Sequence, residues 1–316
     1  MYYRILTGGL LLLAVLLSAT QEEEPATRAQ LGKKLFFDPI LSADRTISCA
    51  SCHQPRFAFA DTAVFSQGIN GKLTVRNTPG ITNLAGRPNY FWDGRAATLE
   101  EQAKQPIISP DEMGLPIAEA VIRLNAEPAY VNAFRKIFNS DPSEQALLQA
   151  IAAYERTLET ANSPYDRYIN GDDNAMSASA IRGRLLFIGK ANCSTCHSGE
   201  DFTADRFKNI GLYNGKELRD AGRYGVTKDS AHMGFFKVPG LRNVAVTAPY
   251  MHNGMFRTLR EVIEYYNSPD RVVSGGIKRD LSLGAPLQLT GTDMDDLESF
   301  LQALTDDQFS GVHQPK

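Results

Sequence analysis

Two pentapeptides, Cys49-Ala50-Ser51-Cys52-His53 and Cys193-Ser194-Thr195-Cys196-His197, take up all four cysteines of this 316-residue chain. Each has the C-x-x-C-H spacing of a covalent c-type haem attachment site. Two thiols two residues apart can each bond one vinyl group of a porphyrin, and the adjacent histidine then lies under the iron as its proximal ligand. A zinc half-site or a dithiol redox pair also uses C-x-x-C. Zinc, however, needs a second ligand pair near each motif, and none of the five histidines and four cysteines is placed to supply one. Two covalent haems make the chain a redox protein.

The length suits two domains, one for each motif. With 43% hydrophobic and 22% charged residues the composition is that of a folded globular protein. A net charge of −3 argues against nucleic acid as a partner and says little about a protein electron donor, which docks on a local patch. At the N-terminus Arg4, the apolar run Ile5 to Leu17 and the small residues Ser18 and Ala19 read as an export signal over residues 1–20. The apolar run is short for a membrane span, and an uncleaved anchor is the alternative reading. Export agrees with the motifs, since c-type haem is attached outside the cytoplasm, which in a Gram-negative cell means the periplasm.

The chain also repeats itself. Leu31, Leu35 and Phe36 share one helical face ahead of the first motif, with Asp38-Pro39 as the stop, and Ile181, Leu185 and Ile188 are expected to do the same ahead of the second. After each motif, Pro79-Gly80-Ile81-Thr82-Asn83 matches Pro239-Gly240-Leu241-Arg242-Asn243. Trp92-Asp93-Gly94 and Thr98-Leu99-Glu100-Glu101 match His252-Asn253-Gly254 and Thr258-Leu259-Arg260-Glu261, always 160 residues apart. A constant offset without gaps indicates two homologous halves. Between them, Asp141-Pro142-Ser143-Glu144 reads as a helix start, with a capping residue, proline in the first turn and an acid at the third position. Ala146, Leu147, Ala150, Ile151, Tyr154 and Leu158 form the stripe that follows. Gly171-Asp172-Asp173-Asn174 is taken as the boundary, giving domains over 21–170 and 171–316. A last helix from about Asp293 to Leu304 is expected to bury Met294, Leu297, Leu301 and Leu304 behind a Thr290-x-x-Asp293 cap. No stretch shows strand alternation, so the expected fold is mostly α, two c-type cytochrome-like domains with one haem each.

These residues resemble the bacterial di-haem cytochrome c peroxidase family, which includes the MauG-type enzymes. The resemblance runs from about Leu31 to Leu304. It is carried by Leu31-Gly32-Lys33-Lys34-Leu35-Phe36-Phe37-Asp38, the two haem motifs, Arg76-Asn77-Thr78-Pro79, Phe91-Trp92-Asp93-Gly94-Arg95 and its continuation to Gln102, Asp111-Glu112-Met113-Gly114, and Ala248-Pro249-Tyr250-Met251-His252-Asn253-Gly254. It implies an N-terminal haem that reacts with hydrogen peroxide and a C-terminal haem that accepts electrons from a small cytochrome c or copper protein. Glu112 and Gln102 match the distal pair, an acid/base and a hydrogen-bonding amide. Trp92, the only tryptophan, stands where the family has an indole between the haems. Asn77, Thr247 and Pro249 match positions that bind calcium through oxygen atoms. His252 matches a family histidine near the second haem, expected to make a structural hydrogen bond. Family members often form homodimers.

Two departures matter. Many relatives block the peroxide-reactive iron with a histidine from the loop after the first motif, and here residues 54–78 contain none. The first haem is therefore expected to stand open without reductive activation. At the second haem the family's methionine ligand falls on Tyr266, the MauG-type choice, 160 residues beyond Pro106. Tyrosine favours ferric iron. The alternative leaves Tyr265 and Tyr266 as core aromatics and gives the ligand to Met251 or Met255. His313 is expected to be inert in a polar tail, and His232 carries no assigned role. Three functions compete: peroxide reduction, MauG-type oxidation of a partner protein's side chains, and electron carriage or redox sensing without turnover. Gln102 and Glu112 argue against the last.

Overall fold

The structure, a computed structural model, describes residues 24–312. The proposed export segment and His313 lie outside the described residues. As expected, the chain is mostly helical. The helices are α1 (Arg28–Phe37), α2 (Cys49–Cys52), α3 (Leu99–Ile108), α4 (Ile117–Ala126), α5 (Pro128–Phe138), α6 (Glu144–Glu155), α7 (Pro164–Ile169), α8 (Ala178–Ile188), α9 (Tyr224–Thr227), α10 (Leu259–Asn267), α11 (Pro269–Val272) and α12 (Gly291–Gln302). The one ladder among the described residues pairs β1 (Phe207–Lys208) with β2 (Phe236–Lys237), antiparallel.

Side-chain caps set the helix starts. Thr27 and Gln30 form a capping box at α1, and Thr290 and Asp293 form another at α12, which begins directly after Thr290. The start of α6 differs from expectation. Ser143 is the cap, accepting from the Ala146 amide at 3.3 Å, so Pro142 precedes the helix while Asp141 binds Arg135 Nε at 2.5 Å. The expected stripe from Ala146 to Tyr154 is nevertheless buried.

Two helix crossings organise the two main cores. α1 meets α6 at Gly32, where an added Cβ would lie 1.8 Å from the Ala150 carbonyl oxygen, and α8 meets α12 at Gly183, 1.9 Å from that of Asp296. Only a residue without a side chain permits backbones to approach so closely. One core gathers Leu31, Leu35, Ile107, Leu124, Phe134 and Leu147, the other Phe187, Phe202, Ile263, Leu297, Phe300 and Leu304. The Gly183 contact corrects the expected face of α8. Ala180, Gly183 and Phe187 are buried and Ile181 partly so, but Leu185 is 61% and Ile188 51% exposed. At roughly 100° per residue, turning Gly183 onto α12 carries those two to the far side.

The sequence repeat is also a structural one. Tyr90 pairs with Ala96, and Tyr250 with Phe256, in equivalent isolated bridges. The Tyr90 hydroxyl donates to the Leu84 carbonyl at 3.1 Å, and that of Tyr250 to Val244 at 3.0 Å. Where the halves meet, the Asn77 amide donates to the His252 carbonyl at 2.8 Å and the Lys237 amide to the Trp92 carbonyl at 2.7 Å. Asn77 and Lys237 are equivalent by the 160-residue offset, and so are Trp92 and His252. Such a reciprocal exchange is the signature of a two-fold axis.

Candidate haem centres and the path between them

Each C-x-x-C-H closes into one tight turn, with the His53 amide donating to the Cys49 carbonyl and the His197 amide to that of Cys193, both at 2.9 Å. The imidazoles are then aimed by the backbone. His53 Nδ1 lies 2.9 Å from the Phe59 carbonyl oxygen and His197 Nδ1 3.0 Å from that of Phe202. Phe59 and Phe202 adopt φ of 58° and 55°, a left-handed conformation uncommon for a bulky residue. Finding it twice, at equivalent places, marks a geometry the fold maintains. Burial holds both histidines below their ordinary pKa. A neutral ring whose Nδ1–H donates to a carbonyl keeps its Nε2 lone pair for a metal.

All four cysteines are free thiols, as porphyrin attachment requires. Burial pushes Cys52 up to about 11 and Cys193 up to about 12. A cavity of about 920 Å³ is lined by His53 at one end, by Cys193, Cys196 and His197 at the other, and by Trp92.

The cavity wall carries two unlike groups of residues. Gln102 and Pro106 from α3 and Glu112 from the turn that follows line the cavity, and Glu112 lies within electrostatic reach of Cys49 and Cys52. Burial raises the Glu112 carboxyl above the ordinary carboxylate range, Ser109 and Arg95 oppose the rise, and Asp111 adds to it. At the His197 end, α10 presents Tyr266, and Met251 also lines the wall. The Tyr266 phenol is buried; its pKa is raised first by burial, then by Tyr265, Cys193 and Cys196, which places it within electrostatic reach of the second pair of thiols. Met255 is 36% exposed and lies outside the cavity wall, its sulfur 3.6 Å from Asn253 Nδ2.

Between the ends, Trp92 Nε1 donates to the Asn77 carbonyl at 2.8 Å. The Trp92 and His252 rings are 6.5 Å apart edge to face, and His252 stacks on Phe236 at 3.6 Å. Burial drives His252 down to about 4, so it is neutral at physiological pH. Arg76 braces this stack across the halves, bonding Asp93 at 2.6 Å and Asp220 at 2.6 and 2.8 Å. His232 sits elsewhere, with Nδ1 3.1 Å from Thr227 Oγ1.

Asn77, Thr247 and Pro249 line the same cavity. Asn77 Nδ2 donates to the Ala63 and Val64 carbonyls, which leaves its Oδ1 available, and among the described residues no hydrogen bond ends on the Thr247 or Pro249 carbonyl. No three His, Cys, Asp or Glu side chains cluster as a metal site among those residues, so a hard cation would be held by amide and carbonyl oxygens.

Sequence reasoning missed the Phe59 and Phe202 carbonyls and the buried Glu155, and gave Arg76 no role of its own. The two phenylalanines follow their histidines by six and five residues, and that one-residue difference hides their equivalence.

Paired thiols beside backbone-aimed imidazoles, twice over and with both imidazoles on one cavity, define a c-type redox protein built for two haems. The chain belongs to the di-haem cytochrome c peroxidase family, whose model matches residues 26–174. The methylamine utilization protein MauG of Methylorubrum extorquens is 39% identical over 281 residues, 88% of this chain and 78% of that protein. The cytochrome c551 peroxidase of Nitrosomonas europaea is 39% identical over 246 residues, 76% of this chain and 73% of that protein. A solved MauG-like protein associated with microbial copper homeostasis superposes with a TM-score of 0.82 at 33% identity, over 89% of this chain and 90% of that one. The chain is thus an oxidoreductase of the cytochrome c peroxidase type, and its family carries two c-type haems.

Proposed function

We propose that the protein is a periplasmic peroxidase that reduces hydrogen peroxide to water with electrons from a small cytochrome c or copper protein. Residues 21–170 form the peroxide-reacting domain, with haem held by Cys49, Cys52 and His53. Residues 171–316 form the electron-accepting domain, with haem held by Cys193, Cys196 and His197. The observation that carries this reading is the asymmetry of two equivalent helices. α3 offers Pro106, whose ring has no ligating atom, beside Gln102 and Glu112 in the cavity wall, whereas α10 offers the Tyr266 phenol.

When bound, haem iron supplies the electrons that break the O–O bond. The protein's own groups handle the protons. Glu112 takes the proton from one peroxide oxygen and returns it to the other, so that the leaving oxygen departs as water. The Gln102 amide donates a hydrogen bond to the oxygen on which charge develops. Two electrons and two protons convert one peroxide to two waters. The Tyr266 phenol would ligate the second iron, and the Trp92 indole would carry electrons between the two centres. Asn77, Thr247 and Pro249 are assigned to a calcium ion at the seam of the halves. With no histidine in residues 54–78, the enzyme needs no reductive activation. A homodimer is the proposed assembly.

The second reading, oxidation of a partner protein's side chains, is favoured by Tyr266 and by the MauG relative. The test is steady-state peroxide turnover by the holoenzyme with reduced cytochrome c. Glu112→Gln should lower it by about 10²–10⁴-fold, the range of general acid–base catalysis. Turnover that survives the change refutes the role of Glu112. Turnover supported only by a partner protein's side chains would favour the second reading.

A further inference from the structure

The carboxylate of Glu112 stands on a short turn rather than in a helix, so something else must hold it. Residues 66–74 form a hairpin, closed by a Gln67–Leu73 bridge and by the Thr74 amide donating to the Ser66 carbonyl at 2.9 Å. Its base rests on the first haem motif. Ser66 Oγ bonds Asp61 at 2.5 Å and Thr78 at 2.7 Å, and Asp61 accepts from Gln54, the residue after His53, at 3.0 Å. Its tip grips the Glu112 turn. The Ile69 amide donates to the Glu112 carbonyl at 2.8 Å, and Lys72 Nζ donates to the Pro110 carbonyl at 3.1 Å while pairing with Asp111 at 3.3 Å.

At the centre of the contact is Gly68. Its φ of −89° is open to any residue, so backbone conformation does not explain the glycine. Contact does. A Cβ there would lie 2.0 Å from the Asp111 carbonyl oxygen and 2.8 Å from that of Glu112.

We infer that this hairpin is a spacer between the proximal and distal sides of the first haem site, and that Gly68 and Ile69 are positioning residues for Glu112. The inference rests on the proposed proton-carrying role of Glu112. The hairpin fixes how far the carboxylate stands from the motif that anchors His53. Gly68 does so by letting the Asp111–Glu112 backbone lie against it, and Ile69 by tying the Glu112 carbonyl. A proton carrier must meet its substrate within hydrogen-bond reach, and a displacement of about 1 Å can cost about 10²-fold in rate.

The experiment measures the second-order rate constant of the ferric holoprotein with hydrogen peroxide by stopped flow. Gly68→Ala should lower it by about 10- to 100-fold. The spectrum of the second haem should stay unchanged, as evidence of an intact fold. The acid limb of the pH–rate profile should also move toward the ordinary carboxylate range as the carboxyl leaves its buried position, which a merely structural defect would not produce. Lys72→Met, at an exposed position, should lower the constant less. In a Glu112→Gln background Gly68→Ala should have no further effect, because the two changes act through one group. Unchanged rates in both Gly68→Ala and Lys72→Met, or the same fold-loss from Gly68→Ala with and without Glu112, overturn the inference. An unaffected Glu112→Gln enzyme would instead overturn the underlying reading.

Discussion

Glu155, in α6, is a carboxylic acid with no counter-charge where one is needed. It is 6% exposed, and its Oε2 has no hydrogen-bond partner among the described residues. The neighbouring Arg156 is drawn off by Glu100, its Nη2 lying 2.9 Å from that carboxylate. Burial therefore dominates and pushes the Glu155 carboxyl up to about 8; Arg156 opposes the rise and Glu100 adds to it. The sign of the linkage follows. Between the ordinary value of 4.5 and about 8, the folded protein holds a proton that the unfolded chain has released. The contribution to stability is complete below the lower value and is lost as pH rises through the upper one, at about 1.4 kcal/mol per pH unit. From about pH 5.5 to about pH 7.5 this amounts to about 3 kcal/mol. Glu155→Gln removes the titration while keeping the shape. Urea unfolding of the holoprotein at the two pH values should show wild type losing about 3 kcal/mol more than the variant. Equal pH dependence in the two proteins would refute the buried, unpaired carboxyl. A wild type that gains on the variant with rising pH would mean that Glu155 is a paired carboxylate.

Two further outcomes can be checked on the same holoprotein. Tyr266→Phe should alter the ferric spectrum of the low-spin haem and leave an open, high-spin first haem as it was; an unchanged spectrum would return the ligand to Met251, and two low-spin haems in the wild type would end the open-site assignment. Gly183→Ala should force α8 from α12, because the new carbon would lie 1.9 Å from the Asp296 carbonyl oxygen; overpacking of this kind costs about 1–3 kcal/mol, visible as a lower Tm, and an unchanged Tm would show that the helices do not touch there.

What could be read from residues alone was whatever is written in side chains at fixed spacing. The two C-x-x-C-H motifs anticipate the two equivalent turns with their backbone-aimed histidines, and the 160-residue offset anticipates the matching bridges at Tyr90 and Tyr250. Gln102, Glu112, Trp92 and Tyr266 all face the one cavity. What could not be read belongs to the backbone or to a distant partner. The Phe59 and Phe202 carbonyls that aim the histidines have no residue-type signature. The roll of α8 is set by a contact with α12 more than a hundred residues away, so the apolar Leu185 and Ile188 misled. At α6, Asp141 and Ser143 are both good caps, and the choice falls to Ser143 because Arg135 occupies Asp141. Glu155 carries no signal of its burial in the sequence, because the arginine next to it is held by Glu100, more than fifty residues away.

The two-fold relation between the halves explains how one frame can hold two unlike centres. At the axis the contacts are made by backbone groups, Asn77 to His252 and Lys237 to Trp92, so either side chain can change without disturbing the join. Trp92 and its equivalent His252 meet at this join edge to face at 6.5 Å, with both side chains on the cavity wall, as the bridging role proposed for the indole requires. The same reasoning applies at Pro106 and Tyr266. Each sits at the same point of an equivalent helix, capped by an equivalent threonine, so the helices keep their place while the chemistry at the cavity wall differs. Proline leaves a wall without a ligating atom and tyrosine provides one. The asymmetry that a two-haem enzyme needs therefore requires only side-chain replacement at positions where the duplicated backbone already converges on the cavity.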